Sequence, residues 1–251
     1  MSINRFLSAA LFCAVLVASH VSNAHSGRRL VVEVVNGKLQ TQGLNTGPSD
    51  GAPAIRPYLN SIHDHWGNVD ALGIATATLP GFDIPPSAAL AGQDLELELR
   101  SVTKWVSPPP MPSPSVIPNL QPLDPGQLIT VDGATDGVDS DGLGSITLFE
   151  DVPINGVTDL DLNYGINELP SGEIHVLRFI LSATPNGGGA PSLEPSDPIH
   201  ILLSPDGVGP LERLHHASLF LEQYVTTIPE PSAFGEVVLA FACRTLGRKR
   251  V

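Results

Sequence analysis

The chain has 251 residues, with 26 acidic and 13 basic side chains and a formal net charge of −13 at pH 7. A surface of that sign repels nucleic acid and anionic lipid, so nucleic-acid binding is excluded as a function class. Only 5% of the residues are aromatic, and the two tryptophans lie far apart in sequence, so nothing indicates a stacking platform for sugars.

The first 24 residues have the pattern of a secretory signal peptide. Arg5 precedes an apolar run over residues 6–18, which is too short to remain as a membrane span. The small residues Ser22 and Ala24 fit the specificity of signal peptidase. We therefore expect cleavage after Ala24 and a mature chain that begins at His25.

Short apolar segments follow, divided by many of the 24 glycines and 24 prolines, which is typical of strands joined by turns. Residues 30–35 and 38–42 predict a tight hairpin, because Asn36-Gly37 tolerates the positive φ of a type I′ turn. Leucines alternate with charged residues from Leu95 to Arg100, which predicts a strand with one buried face. Further strands are predicted at residues 73–79, 94–106, 127–131, 145–149, 173–183 and 198–204.

A histidine pair provides the first candidate site. His63 and His65 are two residues apart, so on a strand or turn edge both rings point to one side, where they could bind a metal with Asp64 or another ligand. His25 would add a chelate made of its ring and its free α-amino group. An amino-terminal histidine with a second histidine suits copper, and imidazoles with a carboxylate suit zinc.

Two further segments interrupt the strand pattern. Residues 107–126 are rich in proline and predict a polyproline-like loop, which either divides two subdomains or is an excursion within one sandwich. Four aspartates then resemble a calcium loop, but the EF-hand template places its first and twelfth positions on Gly137 and Leu148. A plain Asp-Gly loop is favoured over a non-EF calcium turn at Asp132, Asp136, Asp139 and Asp141.

The last strands and the segment after them differ in pattern. The segments that contain His175 and His200 are apolar on both faces, which predicts central strands of a sandwich. Their histidines could approach one another if the strands pair, although such residues are more often hydrogen-bonded core side chains. Residues 210–225 follow helical spacing, so residues 211–228 are predicted to be a helix and a spacer. We find no nucleophile elbow, phosphate loop, GxGxxG after a strand or HExxH, so the commonest enzyme classes lack support.

The chain ends in three parts: a Pro-Glu-Pro triplet, an apolar run over residues 233–243 and a basic cluster. As a helix the run covers roughly 16 Å of a hydrocarbon core about 30 Å thick, and Glu236 lies within it, so it predicts only transient membrane contact. The basic cluster would remain on the cytoplasmic side. The triplet and the cluster consist of Pro229, Glu230, Pro231, Arg244, Arg248, Lys249 and Arg250.

These three parts in this order resemble the PEP-CTERM sorting signal of Gram-negative bacteria, although Glu236 interrupts the usual apolar run. The resemblance implies an exported protein that an exosortase cleaves and sorts to the cell surface or extracellular matrix, with extracellular polysaccharide as a further partner. The signal ending in Ala24-His25, the hairpin and the His-x-His patch are also similar to zinc-regulated PEP-CTERM proteins and, more loosely, to surface-anchored His-rich β-domains. That resemblance implies zinc or copper binding by His25, His63 and His65, with calcium less favoured.

Removal of both ends changes the composition. Cys13 and Cys243 lie in the removed segments, so the mature chain has no cysteine and no disulfide. Residues 25–231 retain 8 basic residues against 25 acids, a charge of −17. We expect a mainly β fold, an antiparallel β-sandwich of jelly-roll-like type over residues 25–210, with a helix over 211–228 and a sorting signal over 229–251.

Three functional hypotheses remain. The first is a structural surface or matrix protein without catalysis. The second is a metal-binding surface protein that uses His25, His63 and His65. The third is a secreted copper-dependent enzyme with an amino-terminal histidine ligand, and it is the least supported, because no other catalytic residues accompany that histidine.

Overall fold

The computed structural model describes residues 29–44, 58–67, 69–106, 118–168, 173–187 and 189–205, together with Leu214, Ala217, Ser218 and Leu221. The strands are β1 (Arg29–Val35), β2 (Lys38–Leu44), β3 (Tyr58–Leu59), β4 (Ser61–Trp66), β5 (Ala75–Ala77), β6 (Gly81–Ile84), β7 (Gln93–Val106), β8 (Leu120–Gln121), β9 (Ile129–Asp132), β10 (Gly137–Asp139), β11 (Gly144–Phe149), β12 (Val157–Leu160), β13 (Asn163–Ile166), β14 (Glu173–Pro185) and β15 (Ile199–Pro205). The predicted mainly β fold is confirmed.

The strands form three sheets. A five-stranded sheet has the order β12-β6-β1-β2-β3, and a four-stranded sheet has the order β10-β9-β13-β5. A six-stranded sheet has the order β11-β7-β14-β15-β4, with β8 paired to β7 as its sixth strand. The pairings are antiparallel except for β1 with β6 and β15 with β4, which are parallel. The sheets are therefore rich in antiparallel pairs without being strictly antiparallel.

The first hairpin forms as its turn sequence predicts. Asn36 and Gly37 have φ values of 53° and 82°, so both central turn residues are left-handed. β1 and β2 then pair in continuous register from Val35 with Lys38 to Arg29 with Leu44. A side chain at position 37 would meet no neighbouring atom within 4 Å of its Cβ. The backbone would nevertheless be strained, because L residues rarely adopt a φ of 82°.

Strand boundaries differ from the predicted ones where local chemistry interrupts the pattern. β5 is shorter than predicted, since Gly73 lies in a turn at φ 83° and the strand begins only at Ala75. Within the predicted polyproline-like loop over residues 107–126, Leu120 and Gln121 are an exception, because they form β8 and pair with β7. Residues 107–117 lie outside the described residues.

One large apolar cluster, named here the inner cluster, joins all three sheets. It contains buried residues from both sides of the Pro-rich stretch, so the described strands before and after it share a core. One face of the six-stranded sheet is thereby packed against residues of the other two sheets. Its largest buried members include Trp66, Tyr164, Phe82, Phe179, Leu30 and Ile62.

A second, smaller cluster lies on the opposite face of the six-stranded sheet and is named the outer cluster. It consists of Trp105, Ile174, Val176, Leu202, Leu214, Ala217 and Leu221. The last three belong to the predicted helix 211–228, in which Leu214, Ala217, Ser218 and Leu221 are helical and buried. These four residues are named the terminal segment, and the remainder of the predicted helix lies outside the described residues.

A buried cation lies at the start of β1, the central strand of the five-stranded sheet. Arg29 is 5% exposed, and its Nη2 lies 2.8 Å from Asp161 Oδ1 and 3.0 Å from Asp159 Oδ1. Its Nη1 lies 3.6 Å from Asp83 Oδ1. A buried guanidinium requires such partners, because an unpaired charge in the interior is strongly destabilising. This cluster joins the end of β1 to β6 and to the β12–β13 connection.

Candidate functional site

The candidate histidine pair lies on β4, the last strand in the six-stranded sheet. β4 pairs in parallel with β15, with His63 opposite Leu202 and His65 opposite Ser204. Successive side chains alternate between the faces of a strand, so His63 and His65 share the outer face with Ser61. Ile62 and Trp66 belong to the inner cluster, which places the intervening Asp64 on the inner side.

The two histidines differ in exposure and in contacts. His63 is 1% exposed, whereas His65 is half-buried. His65 Nδ1 lies 3.0 Å from Ser204 Oγ, a hydrogen bond that fixes the ring and leaves Nε2 as its second nitrogen. Asp64 Oδ1 accepts a hydrogen bond of 2.8 Å from the His65 backbone N–H. β4 therefore brings together two predicted ligands, and Asp64 is on the other face.

Ser61 connects this face to the terminal segment. Ser218 Oγ donates to Ser61 Oγ at 3.1 Å, and Ser61 Oγ donates to the Ser218 carbonyl at 3.5 Å. Both serines are fully buried. The terminal segment therefore lies over the start of β4, next to His63 on the same face.

His175 and His200 do not approach one another. β14 and β15 do pair, but the register sets His175 opposite Leu203 and His200 opposite Arg178. Leu203 belongs to the inner cluster and Leu202 to the outer one, so strand alternation places His175 on the inner face and His200 on the outer face. The possibility that these two rings form a joint site is therefore wrong.

His175 is part of a buried hydrogen-bond network. Trp66 Nε1–H donates to His175 Nδ1 at 3.0 Å, and Gln127 Nε2 lies 3.2 Å from His175 Nε2. An indole N–H can only donate, so Nδ1 accepts and the ring is neutral. Burial, assisted by the positive charge of Lys104, lowers the pKa of His175 to about 4. The proton of the neutral ring is then on Nε2, and the ring positions Trp66 by accepting its indole N–H.

A polar group that the sequence analysis missed lies beside His175 at one end of the inner face. Lys104 Nζ lies 2.6 Å from Asp124 Oδ2 and 3.0 Å from Glu173 Oε1. Hydrogen bonds to Asp124 and then to Glu173 raise the pKa of the Lys104 ammonium. The sequence carried no signal for this group, because strict alternation from the buried Leu95, Leu97 and Leu99 would turn Lys104 outward. The register shift at Arg178 and Phe179 in the β7–β14 pairing turns it inward.

A cavity of about 390 Å³ adjoins this polar group. Its size is at the lower end of the range for small-molecule sites. The wall combines apolar side chains with carboxylates and an amide, and it includes Val102, Leu123, Asp124, Gln127, Leu128 and Asp141.

The aspartates of the candidate calcium loop support turns. Asp136 accepts hydrogen bonds from the Thr147 backbone N–H at 3.0 Å and from Thr147 Oγ1 at 2.8 Å. Asp139 Oδ1 accepts from the backbone N–H groups of Asp141 and Gly142 at 2.9 and 2.6 Å. These carboxylates therefore cap the β9–β10 and β10–β11 connections.

Within the residues that the structure describes, no group of three or more His, Cys, Asp or Glu side chains is arranged to hold a metal ion. His25 lies outside the described residues, as do the sorting-signal residues 229–251. Among the described helical residues, none belongs to a helix with the length and hydropathy needed to cross a membrane.

Comparison with known proteins adds no relative. A scan against protein-family models gives no match, and a search of curated proteins gives none either.

Proposed function

We propose that this chain is an exported, exosortase-processed protein of the cell surface or extracellular matrix, and that its β domain binds zinc or copper through histidines. The location is supported by the signal-peptide pattern of residues 1–24 and by the three-part C-terminal pattern of residues 229–251.

The metal-binding activity is supported by one observation above all, the shared outer face of His63 and His65 on β4. Ser204 supports it further, because a hydrogen bond to one ring nitrogen orients the imidazole and leaves the other nitrogen for a metal. His25 is the third proposed ligand, through its ring and its amino group. Calcium is less favoured, because the carboxylates of Asp136 and Asp139 already accept backbone hydrogen bonds.

The metal proposal is tested on residues 25–231, equilibrated with zinc, copper and calcium and then freed of excess metal before bound metal is measured. We expect about one zinc or copper ion per chain, lost in the His63→Ala, His65→Ala double variant. Asp64→Asn is the matched control, because it changes a metal-ligating type of side chain on the inner side of the same strand. Absence of bound metal in the unmodified chain would reject this activity and leave a purely structural matrix role.

The amino-terminal ligand is tested separately. A chain that keeps extra residues before His25 has no free α-amino group at that histidine, so we expect it to lose copper binding. Unchanged copper affinity would reject the amino group as a ligand. Oxidation of an organic substrate by the copper-loaded chain, lost with the same extension, would instead support the copper-dependent enzyme.

The sorting proposal is tested in a Gram-negative host that has an exosortase. Replacement of Pro229-Glu230-Pro231 by alanines should prevent removal of the C-terminal segment, detected by the mass of the protein in the surface and medium fractions. Glu194→Ala with Pro195→Ala is the matched control, since it removes an exposed Glu-Pro pair from the body of the chain. Normal C-terminal processing of the triplet variant would contradict the proposal.

A further inference from the structure

The outer face of the six-stranded sheet holds both the candidate histidines and the terminal segment. Ser61, His63 and His65 share this face on β4, and Ser61 exchanges hydrogen bonds with Ser218 at 3.1 and 3.5 Å. Ser61 and Ser218 are each 0% exposed, so this contact excludes water. These hydrogen bonds hold the terminal segment against Ser61, which lies two residues before His63 on β4.

The apolar part of the same contact lies on the neighbouring strand. Leu202 of β15 is the register partner of His63, and it packs in the outer cluster with Leu214, Ala217 and Leu221. Those three residues are each no more than 2% exposed. The terminal segment therefore contacts β4 at Ser61 and β15 at Leu202, the residue two before His63 and the register partner of His63. We attribute the 1% exposure of the His63 ring to this packing.

A metal ion bound by both histidines would need room that this packing occupies. Zinc takes four ligands in a tetrahedral arrangement, and two imidazoles leave the remaining positions to water or to other side chains on the same face. His65 is half-buried and can be approached, whereas His63 is buried and shares its face with the terminal segment. A metal can engage both rings only if the segment moves.

We propose that the terminal segment is a cover over His63, so that docking of the segment and binding of zinc or copper at His63 and His65 oppose each other. This inference rests on the proposed metal-binding function and adds its regulation. Because the metal-competent state is a minor one, the apparent affinity is reduced by the fraction of molecules with the cover displaced. By reciprocity, bound metal loosens the segment by the same factor.

The cover is tested with Leu221→Glu in residues 25–231, which puts a charge into the outer cluster. Leu72→Glu is the matched control, because Leu72 is 83% exposed. Acrylamide quenching should rise for Trp105, which lies in the outer cluster, and not for Trp66, which lies in the inner one. Modification of His63 by diethyl pyrocarbonate, followed by mass spectrometry, should be at least roughly tenfold faster in Leu221→Glu than in the control.

Zinc titration of the same proteins completes the test. We expect Leu221→Glu to bind zinc roughly tenfold or more tightly than Leu72→Glu, and His63→Ala to abolish that gain. Equal modification rates of His63 in both proteins would overturn the cover itself. If Leu221→Glu does not fold, the milder Leu221→Ala and Ser218→Ala variants give the same comparison with smaller changes.

Failure of the inference and failure of the proposed function are distinguishable. Faster modification of His63 in Leu221→Glu with unchanged zinc affinity would overturn the opposition between the cover and the metal. Metal binding itself would stand. Faster modification of His63 with no zinc or copper bound by any variant would reject metal binding at His63 and His65. It would therefore reject the regulation as well.

Discussion

The two faces of the six-stranded sheet are built from the same strands but are packed in different ways. The inner face packs against residues of the other two sheets, whose strands are joined by backbone hydrogen bonds along their length. The outer face is covered, among the described residues, by four residues of the terminal segment and two serine hydrogen bonds. The terminal segment can therefore detach from the outer face without breaking a strand pairing. The sheets that pack on the inner face cannot.

The largest expected difference comes from two neighbouring leucines of β15, both 0% exposed. Leu203 lies in the inner cluster and Leu202 in the outer one. Leu203→Ala should lower the free energy of unfolding by about 4 to 5 kcal/mol, because the inner cluster cannot close the cavity. Leu202→Ala should cost only about 2 to 3 kcal/mol, because the terminal segment can settle onto the smaller side chain.

Chemical denaturation measures both leucine variants, and the exposed Leu72→Ala serves as the control, expected to change stability by less than about 0.5 kcal/mol. Equal losses for Leu202→Ala and Leu203→Ala would contradict the difference between the faces.

The next effect concerns pH and one histidine on each face. Burial is the main cause that lowers the pKa values of His175 and His200 to about 4, from the ordinary value of 6.5. Between these values the unfolded chain binds more protons than the folded one, so stability falls as the pH decreases from 6.5 towards 4. Each ring should account for roughly 2 kcal/mol between pH 8 and pH 5.

Thermal or denaturant unfolding across that pH range gives the measurement. The His175→Gln variant should lose about half of the decline, whatever its stability at pH 8, since His200 remains. A profile without a decline between pH 7 and pH 5 would show that neither ring is held neutral.

The smallest expected effect comes from the hydrogen bonds between Ser218 and Ser61 on the outer face. Ser218→Ala removes the hydroxyl that donates to Ser61 Oγ at 3.1 Å and should cost about 1 kcal/mol. A double-mutant cycle with Ser61→Ala should give a coupling of about 0.5 to 1 kcal/mol in unfolding experiments. Ser145→Ala, at an exposed position, is the control. Additive losses at Ser61 and Ser218 would mean that the hydroxyls do not stabilise each other in solution.

Local chemistry in the sequence was enough to predict some elements. Asn36-Gly37 determines its own turn, and the apolar character of β14 and β15 correctly predicts strands inside a sheet. Short strands such as β10 and β12 were missed, because three or four mostly polar residues carry too little periodicity. Their pairing is determined by neighbouring strands that the local sequence does not identify.

The candidate site shows the same limit. The spacing of His63 and His65 predicts a shared side, and β4 has the strand geometry which that prediction required. The burial of His63 could not be predicted, because it depends on a segment whose Ser218 is 157 residues from its partner Ser61. His175 likewise accepts a hydrogen bond from Trp66, 109 residues away, and lies against Gln127, 48 residues away.

The parallel pairing of β4 with β15 has a consequence for the timing of folding. β4 ends at Trp66 and lies at the end of the sheet, where its neighbour β15 begins only at Ile199. Until β15 is present, β4 has an open edge that can pair with other chains. Contacts at such long sequence separation form slowly, so this sheet is completed only after β15 has been synthesised. Chaperones that shield β4 would be needed most during that interval.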